Sequence, residues 1–259
     1  AVVDEDYYDL IFVRPETNEE IVKRVFAPDI FKQLCENNWN YAEPGILYWD
    51  NIQNFNLLQY DDNFEYAGVN PCAEEPLPAG GSCLLGSLNL AAFVGEDEWG
   101  PKFEFEDFES AVELAVRALN EVLDEGLPLH PLEEQRKSVE DWRQIGLGIF
   151  GLADMLIQLG CKYGSRDAKI LCHKIARTMA TAALRSSAKL AAEFGAYPKF
   201  NKGAVMSSEF FNEHFDDETW KLTDAFGLRN SQLLTIAPTG SLSTMLGVSG
   251  GIEPIYDTH

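Results

Sequence analysis

The sequence predicts an α/β fold, and three observations carry that prediction. Short apolar runs at 46–49, 84–94, 143–151 and 232–236 read as strands. Stripes with helical spacing are interspersed with them, at 28–41, 107–125, 152–159 and 166–194. Hydrophobic residues make up 46% of the 259 and aromatic residues 12%, enough to bury a sizeable core in one large domain or two small ones.

The first helix, 28–41, has Pro28 and Asp29 suited to its opening turn. Ile30, Phe31, Leu34, Cys35 and Trp39 form its apolar face, and Glu43, Pro44 and Gly45 stop it. Ile46, Leu47, Tyr48 and Trp49 then read as a short buried strand ending at Asp50 and Asn51. After a loop rich in Pro and Gly, the apolar run 84–94 reads as a strand leaving that loop. The helix over 107–125 can be capped by Asp107 and ends at Gly126. Its stripe is Phe108, Ala111, Val112, Ala115, Leu119, Val122 and Leu123. His130 sits between Pro128 and Pro131 with no partner at metal-ligand spacing.

Residues 143–151 read as a buried, glycine-rich strand followed by the helix 152–159. Gly146 and Gly148 invite a dinucleotide-binding reading. No supporting acidic residue ends a second strand, so close packing of another backbone is the preferred role. The alanine-rich helix 166–194 buries Ile170, Ile175, Met179, Ala182, Ala183 and Leu190 and stops at Gly195. Residues 196–231 are expected to hold two short helices.

Charge narrows the partners. The 42 acidic and 20 basic residues leave a net charge of −22, which disfavours duplex nucleic acid and anionic membranes. No apolar run approaches the roughly 20 residues needed to span a bilayer. The N-terminal residues lack the features of a signal peptide, and without an initiator Met the chain is expected to begin within a longer protein. Five scattered cysteines with no CxxC pair argue against zinc and for a reducing cytoplasm, with Cys35, Cys161 and Cys172 as structural thiols.

Two segments carry chemistry. Asn70, Cys72 and Glu74 place an amide, a thiol and a carboxylate at alternate positions, and Cys83 follows Cys72 by eleven residues. Alternate side chains in an extended or tightly looped segment point the same way, so one ligand can meet all three. By itself, Cys72 fits a small buried hydrophobe as well as a nucleophile. In the second segment, the strand 232–236 runs into Ala237, Pro238, Thr239, Gly240 and Ser241, a turn able to open a helix. Backbone N–H groups there, with the hydroxyls of Thr239, Ser241 and Ser243, suit an anion. An ordinary helix cap without a ligand fits the same residues.

The run NPCAEEPLPAGGSCLLGSLNL at 70–90 resembles the active-site finger loop of the ribonucleotide reductase large, catalytic subunit. EPGILYWDNI at 43–52, RQIGLGIFGLADML at 143–156, RNSQLLTIAPTGSLS at 229–243 and GVSGGIEP at 247–254 resemble the same family in the same order. The resemblance implies part of a ten-stranded α/β barrel. Residues 1–259 would be a partial catalytic domain, lacking the N-terminal allosteric region and the C-terminal strands. It implies Cys72 as the thiyl radical that takes the 3′ hydrogen of the substrate and Glu74 as general base on the 3′ hydroxyl. Asn70 would hold the ribose hydroxyls, and Cys83 would be one of two redox thiols, its partner lying upstream of this chain. Ala237, Pro238, Thr239, Gly240, Ser241 and Ser243 would bind the substrate phosphates.

The implied substrate is a ribonucleoside di- or triphosphate. A thioredoxin-like reductant and homodimerisation of the full-length protein are implied as well. The short interval from Cys72 to Cys83 resembles the adenosylcobalamin-dependent reductases; a radical supplied by a metal-containing small subunit is the alternative. A noncatalytic nucleotide-binding module is the reading from another class. The 259-residue piece alone is expected to be inactive.

Overall fold

A computed structural model describes residues 7–82 and 84–255. The chain divides into two compact units, Ala1–Trp49 and Asp50–His259.

In the first unit, β1 (Tyr7–Val13) and β2 (Glu20–Phe26) form an antiparallel hairpin, with Tyr7 opposite Phe26 and Val13 opposite Glu20. Helix α1 (Ala27–Tyr41) follows directly, with a proline in its first turn. It ends at Ala42, whose left-handed backbone lets its N–H reach the Asn38 carbonyl. The helix is where the sequence puts it, but its apolar face is not buried. Ile30, Phe31 and Trp39 are exposed, as is Cys35, which is therefore not a packed structural thiol. The strand expected over 46–49 is also absent. Ile46, Leu47 and Tyr48 are exposed and irregular, and α2 (Trp49–Asn54) begins at Trp49. An apolar run becomes a strand only when a neighbour takes its backbone hydrogen bonds, and none among the described residues does so here.

The second unit is built on parallel strands. The short β3 (Gly68–Val69) and β4 (Pro76–Leu77) pair antiparallel. Strand β5 (Leu85–Asn89) is followed by the antiparallel β6 (Val94–Asp97) and β7 (Gly100–Phe103). Next come α3 (Phe105–Gly126), α4 (Glu133–Trp142) and β8 (Gly146–Phe150). The rest is helical: α5 (Leu152–Gln158), α6 (Arg166–Phe194), α7 (Lys202–Ser207), α8 (Glu209–His214), α9 (Asp217–Phe226) and α10 (Gly240–Leu246).

Strand β8 is buried along its whole length and pairs parallel with β5, from Leu85 opposite Gly146 to Asn89 opposite Phe150. On its other edge lies the segment 232–235. Ile145 and Leu147 donate to the carbonyls of Gln232 and Leu233 at 3.1 and 2.8 Å, and Thr235 donates back to Leu147 at 3.1 Å. Three parallel segments thus lie side by side in chain order, with helices filling both connections, as parallel neighbours require. They form no closed barrel among the described residues.

The expected strand 84–94 ends early. The Asn89 side chain accepts from the Ala91 N–H and turns residues Leu90–Phe93 into a 3₁₀ helix. Helix α3 buries Phe108, Val112, Val116, Leu119 and Leu123, whereas Val122 is exposed, one step off that face. Asp107 lies inside the first turn, so it is not the cap. On α6, Ile175, Met179, Ala182, Ala183 and Leu190 are buried, but Ile170 is exposed. Residues 196–231 contain three helices where two were expected, opened by Asn201, Ser208 and Asp216, each accepting from an N–H three residues on. The Asp216 carboxyl sits below the usual carboxylate range: burial works to raise it, but the Thr219 N–H and the Arg185 charge outweigh that. Arg185 ties α6 to both neighbours, through Glu109 and Glu113 of α3 and Asp216 before α9.

The two glycines of β8 are packing glycines, as the sequence suggested. A Cβ on Gly146 would lie 2.6 Å from Thr235 Cγ2, and one on Gly148 would lie 2.4 Å from the Thr235 carbonyl oxygen. The third segment can approach only because both side chains are missing. Gly148→Ala is expected to cost about 1–3 kcal/mol by overpacking against backbone that cannot rotate away. The thermal midpoint of the full-length variant checks this, and an unchanged midpoint would mean the strands part freely.

No described helix is long and apolar enough to cross a membrane.

Candidate active site

Strands β3 and β4 exist to hold a loop. The Asn70 N–H donates to the Glu75 carbonyl at 3.1 Å, and the Glu75 N–H donates to Asn70 Oδ1 at 2.9 Å. Asn70 and Glu75 are buried, and together they clamp the stem. Within it, the Ala73 N–H donates to the Asn70 carbonyl at 2.9 Å, and Ala73 itself is left-handed at φ 66°. Pro71 and Cys72 form the exposed tip. The expected equivalence of Asn70, Cys72 and Glu74 on one side therefore gives way to a turn. Asn70 folds back into the stem and Cys72 faces outward, because a tight turn does not keep the two-residue alternation of a strand. Glu74 is half-buried. Its Oε2 is shielded from solvent and has no hydrogen-bond partner among the described residues, which leaves an acceptor available to a ligand hydroxyl. Cys83 lies outside the described residues.

The loop is fastened to the third parallel segment. Thr235 Oγ1 donates to the Glu74 carbonyl at 2.9 Å, and Gln232 Nε2 donates to the Pro76 carbonyl at 2.8 Å. Gln232 is itself held by Gln144 Nε2 at 2.8 Å. Beside the stem opens a cavity of about 220 Å³, lined by Phe55, Tyr66, Pro76, Ser231 and Gln232 among others. Burial there pushes the Tyr66 phenol above its ordinary range.

Two residues after Thr235 comes the hydroxyl-rich turn. Ala237 and Ser243 are buried, Thr239 is half-buried, and Pro238, Gly240 and Ser241 are exposed. Thr239 occupies the cap position of α10 in a left-handed conformation, φ 52°, and its side chain makes no cap bond. Its Oγ1 instead accepts the Gly251 N–H at 3.0 Å, and Ser243 Oγ donates to the Gly240 carbonyl at 3.2 Å. Of the three candidate hydroxyls only Ser241 stands exposed. Glycines brace the turn from behind: a Cβ on Gly250 would lie 2.9 Å from the Pro238 carbonyl.

One strand segment thus carries both a bond to the Glu74 backbone and, immediately after, the candidate phosphate turn. Sequence reading put catalytic residues on the loop and the turn but passed over Gln232 and Thr235, which join them. Their signal was visible as two hydrogen-bonding side chains inside an otherwise apolar buried run, where each must find a partner. Cys161 and Cys172 are less exposed than Cys72. Burial, and then the neighbouring Cys161, push the Cys172 thiol upward.

The chain is 35% identical over 253 residues to a protein named vitamin B12-dependent ribonucleoside-diphosphate reductase from Thermoplasma acidophilum, covering 98% of this chain and 30% of the relative. It is 32% identical to a protein of the same name from Mycobacterium tuberculosis, covering 94% of the chain and 32% of the relative. It is 27% identical to the ribonucleoside-diphosphate reductase large subunit of Danio rerio, covering 95% of the chain and 32% of the relative. The chain spans about a third of the length of these curated relatives. The family model described as "Ribonucleotide reductase, barrel domain" matches residues 3–259, and the chain therefore belongs to that family, whose fold is an α/β barrel.

Proposed function

We propose that this chain is the part of a ribonucleotide reductase that carries the radical cysteine, within a partial ten-stranded catalytic barrel over residues 1–259. The observation that supports it most is the clamped loop 70–75, with Cys72 at its tip and an unpaired Glu74 oxygen, fastened to the strand that enters the phosphate turn. The loop serves as the finger of the barrel.

The reaction removes the 2′ hydroxyl of a ribonucleoside di- or triphosphate. That carbon is unactivated, so a radical at C3′ is needed to loosen the bond. The Cys72 thiyl takes the 3′ hydrogen and Glu74 takes the proton of the 3′ hydroxyl. The 2′ hydroxyl then leaves as water. Cys83 and a partner thiol upstream supply two electrons and two protons and close to a disulfide, Glu74 returns its proton to the 3′ oxygen, and Cys72 returns its hydrogen to C3′. Asn70 holds the ribose hydroxyls. Residues 237–241 and Ser243 receive the phosphates, with Ser241 and the backbone as the accessible donors. A thioredoxin-like dithiol reopens the disulfide, and the intact protein is a cytoplasmic homodimer.

The radical is supplied by adenosylcobalamin when that cofactor is bound, a reading supported by the names of the relatives from Thermoplasma and Mycobacterium. The Danio relative, named a large subunit, supports the alternative of a radical delivered by a small subunit. Deoxynucleotide formation by the full-length protein, with a dithiol and with or without adenosylcobalamin, separates them. Turnover only with the cobalamin is the expected result. Turnover only with an added small subunit overturns the cofactor assignment, and none with either overturns the reductase reading.

A further inference from the structure

We infer that Thr235 and Gln232 are positioning residues that hold the Cys72 loop in register with the phosphate turn. The inference deepens the proposed function and rests on it for its catalytic consequence.

Three consecutive carbonyls of the loop stem are taken. Glu74 is bound by Thr235 Oγ1 at 2.9 Å, Glu75 by the Asn70 N–H at 3.1 Å, and Pro76 by Gln232 Nε2 at 2.8 Å. The middle bond is local to the loop. The outer two come from one strand segment more than 150 residues away in sequence, and they bracket Glu75 on either side. The tip, by contrast, is exposed. A free tip on a fixed stem leaves the Cys72 sulfur with little lateral play.

The anchors are themselves well fixed. Thr235 is buried, its N–H bonds Leu147 at 3.1 Å, and the missing side chains of Gly146 and Gly148 let β8 press directly on it. Gln232 receives Gln144 at the mouth of β8. Because Ala237 begins the turn two residues after Thr235, a phosphate gripped there and a sulfur carried on the loop share one rigid reference. Misplacing reacting atoms by about 1 Å can cost on the order of 100-fold in rate. The polar side chains of this strand therefore bear on kcat although neither touches substrate.

The test uses the full-length protein and three variants. Thr235→Val keeps the shape and deletes the hydroxyl, Thr235→Ser keeps the hydroxyl, and Gln232→Leu removes the second anchor independently. For Thr235→Val and Gln232→Leu, kcat for deoxynucleotide formation is expected to fall about 10- to 100-fold while KM stays within about threefold. Thr235→Ser is expected to recover most of kcat. Hydrogen exchange of the peptide 70–77 should speed about tenfold in the first two variants while that of β8 stays unchanged. Unchanged loop exchange, or an equal loss in Thr235→Ser, overturns the inference. Exchange reads the anchor whether or not deoxynucleotide forms. A wild-type protein that turns over nothing would sink the proposed function alone, and the anchor would still be judged by exchange.

Discussion

Cys72→Ser in the full-length protein is expected to abolish deoxynucleotide formation, a loss on the order of 10⁴-fold or more, as when a covalent catalytic group is removed. The reason is bond strength. Serine matches cysteine in shape, but its O–H bond is much stronger than S–H, so no radical forms there under conditions that generate a thiyl. Cys72 stands exposed at the loop tip, and the stem bonds between Asn70 and Glu75 do not involve its side chain. The variant should therefore fold normally and bind nucleotide within a few-fold of the parent, so that the loss is confined to kcat. Substrate binding by equilibrium dialysis, run beside single-turnover assays, measures both. Activity near the parental level would make the chain a nucleotide-binding module whose loop carries no chemistry.

The second large effect is on stability. Asn230 is fully buried where the third strand segment begins. Its amide donates to Asn120 Oδ1 at 2.9 Å and to the Arg143 carbonyl at 2.9 Å. Its Oδ1 accepts from Asn120 Nδ2 at 3.0 Å and from Ser187 Oγ at 3.0 Å, and its own N–H bonds Ser187 Oγ at 3.1 Å. One side chain thereby joins α3, α6 and the approach to β8. Asn230→Ala strands several buried polar groups at once and opens a cavity, and each unsatisfied group costs about 1–3 kcal/mol. Partial rearrangement lowers the sum, so a loss of about 3 kcal/mol is expected. The opening free energies of peptides 144–150 and 229–236 by hydrogen exchange measure it. A change below about 1 kcal/mol would mean that the network is replaceable by water. Because Gln232 and Thr235 follow directly, this network also sets where the loop anchors begin.

The structure explains why some of this could be read in advance. The helices 107–125 and 166–194 are long and periodic, and each lies within two residues of its expected bounds. The glycines of β8 told their role because a strand glycine has few uses, and Thr235 fills the space each leaves, with its side chain at Gly146 and its carbonyl at Gly148. Local pattern failed where burial depends on distant partners. Ile30, Phe31 and Trp39 have a helical stripe and Ile46, Leu47 and Tyr48 an apolar run, yet all six are exposed. The hairpin of β1 and β2 went unread, since both of its strands place apolar residues on each face and lack the alternation that marks a half-buried strand.

For the candidate site, the sequence by itself determined the chemical inventory: a cysteine, a carboxylate and an amide within five residues, and a hydroxyl-rich turn far along the chain. Motif resemblance gave those residues their roles. Only the tertiary structure decided that the two segments meet through one strand, that Asn70 turns inward while Cys72 turns out, and that Thr235 and Gln232 hold the loop. The physical reason is range. Side-chain identity and turn propensity are properties of a few neighbouring residues. Which carbonyl a threonine binds 161 residues away is fixed by parallel strand register, and that register exists only once the core has packed.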